Sequence, residues 1–145
     1  MTDKIPLILA SGSEYRKQQL EALGLTFLTY SPEIDETAHE METPAVLTKR
    51  LATEKAIKIK QQNPLSCVIG SDQVCVFNNQ IFGKPGSKKQ AIKQLQTFSD
   101  QVVQFYTALC VIGTEGQKFK HVDITTVNFR QLTIEEIERY IEKEQ

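Results

Sequence analysis

The segment CVIGSDQVCVFNNQIFGKP, residues 67–85, places one acidic residue between two apolar runs. Asp72 stands between the predicted strands Cys67–Ile69 and Val74–Phe77, and an ionised Asp is rarely buried without a partner. At a strand's end it is well placed to orient or deprotonate a water, and Lys84 in the following turn could bring an ammonium group to a phosphate. The alternative is an Asx turn followed by an ordinary loop lysine.

A second candidate site follows the short apolar run PLILA. Ser11 begins a Ser-Gly-Ser turn, and Arg16 and Lys17 lie in the first part of the predicted helix after it. The free N–H groups and partial positive charge of a helix N-terminus attract phosphate. The alternative is that a serine here only caps the helix.

Two further features have both a chemical and an ordinary interpretation. The acidic loop contains Glu33, Asp35 and Glu36, and carboxylates bind Mg²⁺ when a phosphorylated substrate supplies the remaining ligands. Its ordinary interpretation is a solvated loop. Lys55 lies on a predicted helix, where a single lysine is usually a surface residue.

The bulk composition excludes several classes of protein. The chain has 145 residues, 40% hydrophobic and 24% charged, which predicts one soluble domain over residues 1–145. A net charge of -1 lacks the basic excess of many nucleic-acid binders. Three cysteines without C-x-x-C spacing indicate neither a zinc nor a redox motif and fit a reducing cytoplasm. No apolar run is long enough for a signal peptide or a membrane span.

Strands and helices that alternate along the chain must position these residues, which predicts an α/β fold with a mixed sheet. Pro44, and capping boxes at Ser87 and Thr133, mark three helix starts. The predicted helices are Glu14–Leu23, Pro44–Gln62, Ser87 to about Phe98, and one that begins at Thr133. The predicted strands are Pro6–Ala10, Phe27–Tyr30, Cys67–Ile69, Val74–Phe77, Val102–Ile112 and His121–Phe129.

Five sequence blocks together are more specific than any single candidate. LILASGSEYRKQQLEALGLTF, SPEIDET, LATEKA, VIGSDQVCVFNNQIFGKP and YTALCVI resemble, in order and spacing, the Maf family of nucleoside triphosphate pyrophosphatases. The resemblance implies a mixed twisted sheet flanked by helices, in a Maf/ITPase-like two-lobed architecture with a central cleft. It also implies hydrolysis between the α and β phosphates with Mg²⁺ or Mn²⁺, in the removal of noncanonical nucleotides.

The resemblance also implies roles for individual residues. Asp72 matches the family's proton acceptor, and we expect its pKa to be low enough to keep it ionised beside a lysine and Mg²⁺. Glu33 falls in the acidic block that would help to hold the metal. The positions that match phosphate-binding residues are Ser11, Arg16, Lys55 and Lys84.

Two departures from the common family pattern indicate the substrate. Tyr15 stands within Glu-Tyr-Arg where most members have Pro-Arg-Arg, and Gln73 replaces the usual Thr after the aspartate. The branch that acts on 7-methyl-GTP is similar at both positions, which makes Tyr15 and Gln73 the specificity candidates. The alternatives are the dTTP/UTP branch, a nucleotide-binding or division-regulating protein without catalysis, and an inactive fragment.

Family members continue beyond the terminal helix by several tens of residues, so we expect this chain to lack the usual C-terminal segment. The family, once described as septum-formation inhibitors, also suggests a homodimer in the cytoplasm.

Overall fold

The computed structural model of the chain describes residues 6–83 and 85–143. The alternation of strands and helices that the sequence predicts is confirmed, and the fold is a mixed α/β structure. In chain order the elements are β1 (Leu7–Ala10), α1 (Glu14–Ala22), β2 (Leu28–Tyr30), α2 (Pro44–Gln62), β3 (Cys67–Phe77), β4 (Gln80–Phe82), α3 (Lys88–Phe98), β5 (Val102–Ile112), β6 (Lys118–Asn128) and α4 (Ile134–Lys143).

Side-chain caps start the four described helices where the sequence predicts them. The hydroxyls of Ser13, Thr43 and Ser87 accept from N–H groups three residues on. Thr133 and Glu136 form a complete capping box, because each side chain accepts from the other's backbone N–H, at 3.2 and 3.0 Å. None of these helices combines the length and the apolar character that crossing a bilayer requires.

The sheet has the strand order β2-β1-β3-β5-β6, and β4 pairs with β3. Strand β1 is parallel to both neighbours, with Ala10 opposite Tyr30 on β2 and Gly70 on β3. The segments that leave β1 and β2 therefore begin beside the middle of β3. This register brings Ser11 and the acidic loop to the part of β3 that carries Asp72.

Strand β3 corrects one prediction, because its eleven residues run without a break through Gly70, Ser71 and Asp72. The sequence predicted two separate strands, Cys67–Ile69 and Val74–Phe77, with Asp72 between them. The Ser71 hydroxyl donates to the carbonyl of Ala108 on β5 at 2.9 Å, which helps to hold this polar segment in the sheet. Asp72 therefore lies inside a strand and does not cap an Asx turn.

The hairpin between β3 and β4 has a two-residue turn at Asn78 and Asn79. Both residues have positive φ, 51° and 60°, as a type I′ turn requires and as asparagine tolerates. The short strand β4 was not among the strands that the sequence predicted.

The described residues group into two compact units. Unit 1 comprises residues 6–72 and 107–123, and unit 2 comprises residues 73–83, 85–106 and 124–143. Unit 1 has an aliphatic core that includes Ile8, Val68 and Ile59. Unit 2 packs aromatic rings around Phe98, with Phe82 edge-to-face at a centroid distance of 5.2 Å. The single domain over residues 1–145 stays a prediction.

Helix α2 lies unusually close to β3 at Gly70. A Cβ atom at this position would meet the carbonyl oxygen of Ala52 at 2.2 Å and the Cβ of Ala56 at 2.8 Å. Contacts that short do not occur between real side-chain and backbone atoms, so only glycine allows this approach. The helix and strand that carry Lys55 and Asp72 are thereby brought together.

We predict that Gly70→Ala lowers the free energy of unfolding by about 1–3 kcal/mol or more, because the added methyl group must push α2 away from the sheet. Urea unfolding followed by circular dichroism measures this loss. Gly83→Ala is the control, since a Cβ at Gly83 meets nothing within 4 Å. Equal stabilities of the two variants would show that the helix can shift freely.

Candidate active site

The first part of the site is the turn between β1 and α1. Ser11 is 9% exposed, and its hydroxyl accepts from the N–H of Ser13 at 3.1 Å and from Nη1 of Arg16 at 3.4 Å. The residue that caps α1 is Ser13, so Ser11 is not merely the N-cap. The turn presents a hydroxyl, a guanidinium and the N-terminus of a helix together.

The second part is a cluster of charges around Lys55. Its Nζ lies 3.0 Å from Oδ1 of Asp72 and 2.9 Å from Oε1 of Glu36. Asp72 is 7% exposed, and the Lys55 side chain is 15% exposed. The half-buried Lys55 side chain therefore connects the strand that carries Asp72 with the acidic loop.

The pKa of Asp72 is raised above its ordinary value. Burial is the main cause, and the nearby charge of Glu36 adds to it. The ammonium of Lys55 and the guanidinium of Arg16 lower this pKa, but burial outweighs them. That Asp72 nevertheless stays ionised beside Lys55 stays a prediction. Burial also lowers the pKa of Arg16, whereas the charge of Asp72 acts to raise it. A carboxylate with a raised pKa is a stronger base than an ordinary aspartate.

The second oxygen of Asp72 fits a water molecule or a metal ion. Oδ2 is buried and accepts no hydrogen bond from any described residue. Residues 6–83 and 85–143 contain no group of three His, Cys, Asp or Glu side chains arranged to hold a metal. Mg²⁺ does not need one, because it commonly takes one or two protein carboxylates and fills its shell with waters and substrate phosphates.

The remaining predicted residues lie in different places. Tyr15 is 70% exposed on α1 in unit 1, whereas Gln73 lies in unit 2, where it lines an apolar pocket with Phe82 and Phe105. Glu33 is exposed, and its backbone carbonyl accepts from Nζ of Lys58. Lys84 lies outside the described residues.

Glu36 is the carboxylate of the acidic loop that reaches Lys55. The family resemblance pointed to Glu33 as the metal-binding residue. The local pattern does not distinguish Glu33 from Glu36, because both are acidic residues of the same polar loop, three positions apart. The position of Glu36 depends on contacts between the loop and α2, which a single sequence does not reveal.

The Maf-like protein family model matches residues 6–145. The chain belongs to the Maf family. Curated relatives match most of its length. A protein of Alcanivorax borkumensis named 7-methyl-GTP pyrophosphatase is 47% identical over 147 aligned positions, which cover all of this chain and 75% of that protein. A Vibrio vulnificus protein of the same name is 48% identical over 140 positions, or 96% of this chain and 72% of that protein.

Solved structures share the fold at much lower identity. The Staphylococcus aureus Ham1 protein has a TM-score of 0.59 at 13% identity, over 85% of this chain and 71% of that one. A nucleoside-triphosphatase / dITP/XTP pyrophosphatase from Mycobacterium abscessus has a TM-score of 0.53 at 16% identity, over 86% and 74%. The Maf chain therefore has the mixed sheet flanked by helices that the resemblance implied.

We predict that Asp72→Asn makes this Maf protein at least as stable as the wild type at pH 7. Folding raises the pKa of Asp72 above its usual value of 3.8. The free energy of unfolding of the wild type therefore falls as the pH rises from 3.8 through the higher pKa of the folded state. The asparagine variant does not bury this charge, and its advantage should shrink as the pH falls towards 4. Urea unfolding from pH 4 to pH 8 measures the difference.

The control for this comparison is Asp123→Asn, because the Asp123 side chain is 79% exposed. It removes one carboxylate from the same unit without removing a buried charge. A large loss of stability in Asp72→Asn at pH 7 would contradict the prediction and show that the Lys55–Asp72 pair stabilises the fold.

Proposed function

We propose that this chain is a metal-dependent nucleoside triphosphate pyrophosphatase that converts 7-methyl-GTP to the monophosphate and pyrophosphate. The observation that carries the proposal is the buried Asp72, held by Lys55 at one oxygen and unpaired among the described residues at the other. Arg16 and Ser11 supply cationic and hydroxyl donors in the same unit. The names of the Alcanivorax and Vibrio relatives support the choice of substrate.

In this mechanism Asp72 is the general base. Lys55 holds Oδ1 of Asp72. Oδ2 of Asp72 accepts a proton from water as the water oxygen attacks the α phosphorus. The anhydride bond between the α and β phosphates breaks, pyrophosphate leaves with the bonding electron pair, and Asp72 later releases the proton to solvent. The raised pKa of Asp72 suits this role, because proton transfer is most effective when the base's pKa approaches the working pH.

The phosphate chain would be held by donors rather than by covalent chemistry. Ser11, Arg16 and the first N–H groups of α1 form an anion site at a helix N-terminus. Lys55 would stabilise charge that develops on the phosphates in the transition state. We propose the same role for Lys84 from its motif position alone.

Glu36, beside the general base Asp72, is the residue that would hold a divalent metal, Mg²⁺ or Mn²⁺. When bound, the ion would polarise phosphoryl oxygens and offset the charge of the triphosphate. Glu33 stays a prediction for this role, and its exposed position gives Glu36 the better case.

The first test is pyrophosphate release with Mg²⁺ from 7-methyl-GTP, GTP, dTTP, UTP and ATP. We expect turnover of 7-methyl-GTP above the others, and a loss of about 10²–10⁴-fold in kcat for Asp72→Asn, because the general base is removed. The control is Asp123→Asn, at a side chain that is mostly exposed. If dTTP or UTP is preferred, the chain has the specificity of the other Maf branch. If a folded sample binds nucleotide without turnover, the non-catalytic alternative is correct.

A second test concerns the base of the nucleotide. We propose that Tyr15 stacks on the cationic methylated purine and that Gln73 contributes to specificity. Replacing Tyr15 with Ala should raise the KM for 7-methyl-GTP by about 2- to 30-fold, the range that a cation–π contact allows. The KM for GTP should change less, because GTP lacks the positive charge on the ring. Tyr15→Phe should keep the KM for 7-methyl-GTP close to the wild-type value, because the aromatic ring is still present. An equal change in KM for both nucleotides would exclude this stacking.

Cytoplasmic location, a homodimer and a role in septum formation stay predictions for this chain.

A further inference from the structure

The acidic loop, residues 31–42, needs a physical anchor. It joins β2 to α2 without helix or strand, and residues 35–40 are all exposed. Pro32 and Ile34 are half-buried, so apolar burial contributes only before Glu36, and polar contacts with α2 must hold the loop beyond it.

Arg50 on α2 makes the most extensive of these contacts. Its Nε and Nη2 donate to the two carboxylate oxygens of Glu42 at 2.7 and 2.9 Å, and Nη2 also donates to the carbonyl of Thr37 at 3.0 Å. Nη1 donates to both oxygens of Glu54, one helical turn further along α2, at 2.8 and 3.0 Å. Glu54 thus orients the guanidinium of Arg50 through Nη1, and Nε and Nη2 of Arg50 hold the loop.

The contact between Arg50 and Glu42 has the features of a specific pair. The Glu42 side chain is 8% exposed, and hydrogen bonding to Arg50 lowers the pKa of Glu42 to about 2. Two parallel N–H donors to one carboxylate fix geometry as well as distance. The carboxyl end of the loop is therefore held in one place on the helix.

Glu36 lies between two anchored positions of the loop. Lys58 on α2 donates to the carbonyl of Glu33, and Arg50 donates to the carbonyl of Thr37. Asp35 adds local stiffness, because its Oδ1 accepts from both the N–H and the hydroxyl of Thr37, at 3.0 and 2.6 Å. A carboxylate held on both sides in this way can stay 2.9 Å from Lys55 while the loop around it is exposed.

We propose that Arg50 is a positioning residue for catalysis: it anchors the acidic loop through Thr37 and Glu42, and so holds Glu36 against the Lys55–Asp72 pair. This inference rests on the proposed pyrophosphatase function. Lys55 has three N–H donors, and the carboxylates of Glu36 and Asp72 together determine how they point. Without the anchor, Glu36 leaves Lys55, and the ammonium no longer holds Asp72 in one orientation.

The test compares Arg50→Met and Arg50→Lys with the control Lys49→Met. Lys49 is exposed on the same helix, so its substitution removes the same charge one residue away. Hydrogen exchange, read by mass spectrometry on peptides from residues 31–42, should be faster in Arg50→Met and unchanged in the control. Arg50→Lys should be intermediate, because one ammonium cannot replace a planar group that contacts Glu42, Glu54 and Thr37 together.

The kinetic arm measures 7-methyl-GTP turnover in the same proteins. We expect kcat of Arg50→Met to fall by about 10- to 100-fold, as small displacements in an active site commonly cause, with a smaller change in KM. In a Glu36→Gln background the same substitution should have little further effect, since Arg50 acts through Glu36. Unfolding curves of each variant separate this loss from a loss of folding.

Two results would overturn the inference. One is unchanged hydrogen exchange in residues 31–42 of Arg50→Met, and the other is a loss of kcat that is fully additive with that of Glu36→Gln. Failure of the proposed function has a different signature, in which the folded wild type turns over no nucleotide. The exchange measurement then still decides whether Arg50 anchors the loop.

Discussion

The candidate site depends on the close contact between α2 and β3. Where Gly70 faces Ala52 and Ala56, the absence of a side chain lets the helix backbone approach the strand to a distance that a single methyl group would prevent. Lys55 lies on this helix beside Ala56, and Asp72 follows Gly70 by two residues on the same face of the strand. The 3.0 Å distance between Nζ and Oδ1 is a consequence of that packing.

The buried charge of Asp72 is unfavourable for folding, which supports the catalytic role proposed for it. Burial raises the pKa of Asp72 even though Lys55 is in contact with it. The attraction between Lys55 and Asp72 therefore does not fully offset the cost of removing the Asp72 charge from water. Buried ion pairs are often no more stable than apolar residues of similar volume. A fold selected only for stability could place a hydrophobic residue inside β3, as it does at Val68 and Val74.

Local signals in the sequence predicted much of the fold, and contacts distant in sequence account for the rest. The bounds of α2 follow from Pro44 and the following apolar stripe, and both were predicted correctly. The break in β3 was wrong because Gly70-Ser71-Asp72 has the composition of a turn. Its extended form depends on pairing with β1 and on the bond from Ser71 to β5. Asp72 and Lys55 were identified through motif resemblance, whereas the position of Glu36 depends on Arg50, for which no local pattern exists.

The charges of the described cluster also constrain how a triphosphate can bind. Arg16 and Lys55 are balanced by Glu36 and Asp72, so these four side chains together carry no net charge when all are ionised. They orient donors, but they do not by themselves offset the several negative charges of a nucleoside triphosphate. In the proposed function, additional positive charge would come from a divalent metal held beside these carboxylates and from Lys84. The same carboxylates that weaken attraction for a bare triphosphate would favour its metal complex, so the charge balance of the cluster supports the proposed metal dependence.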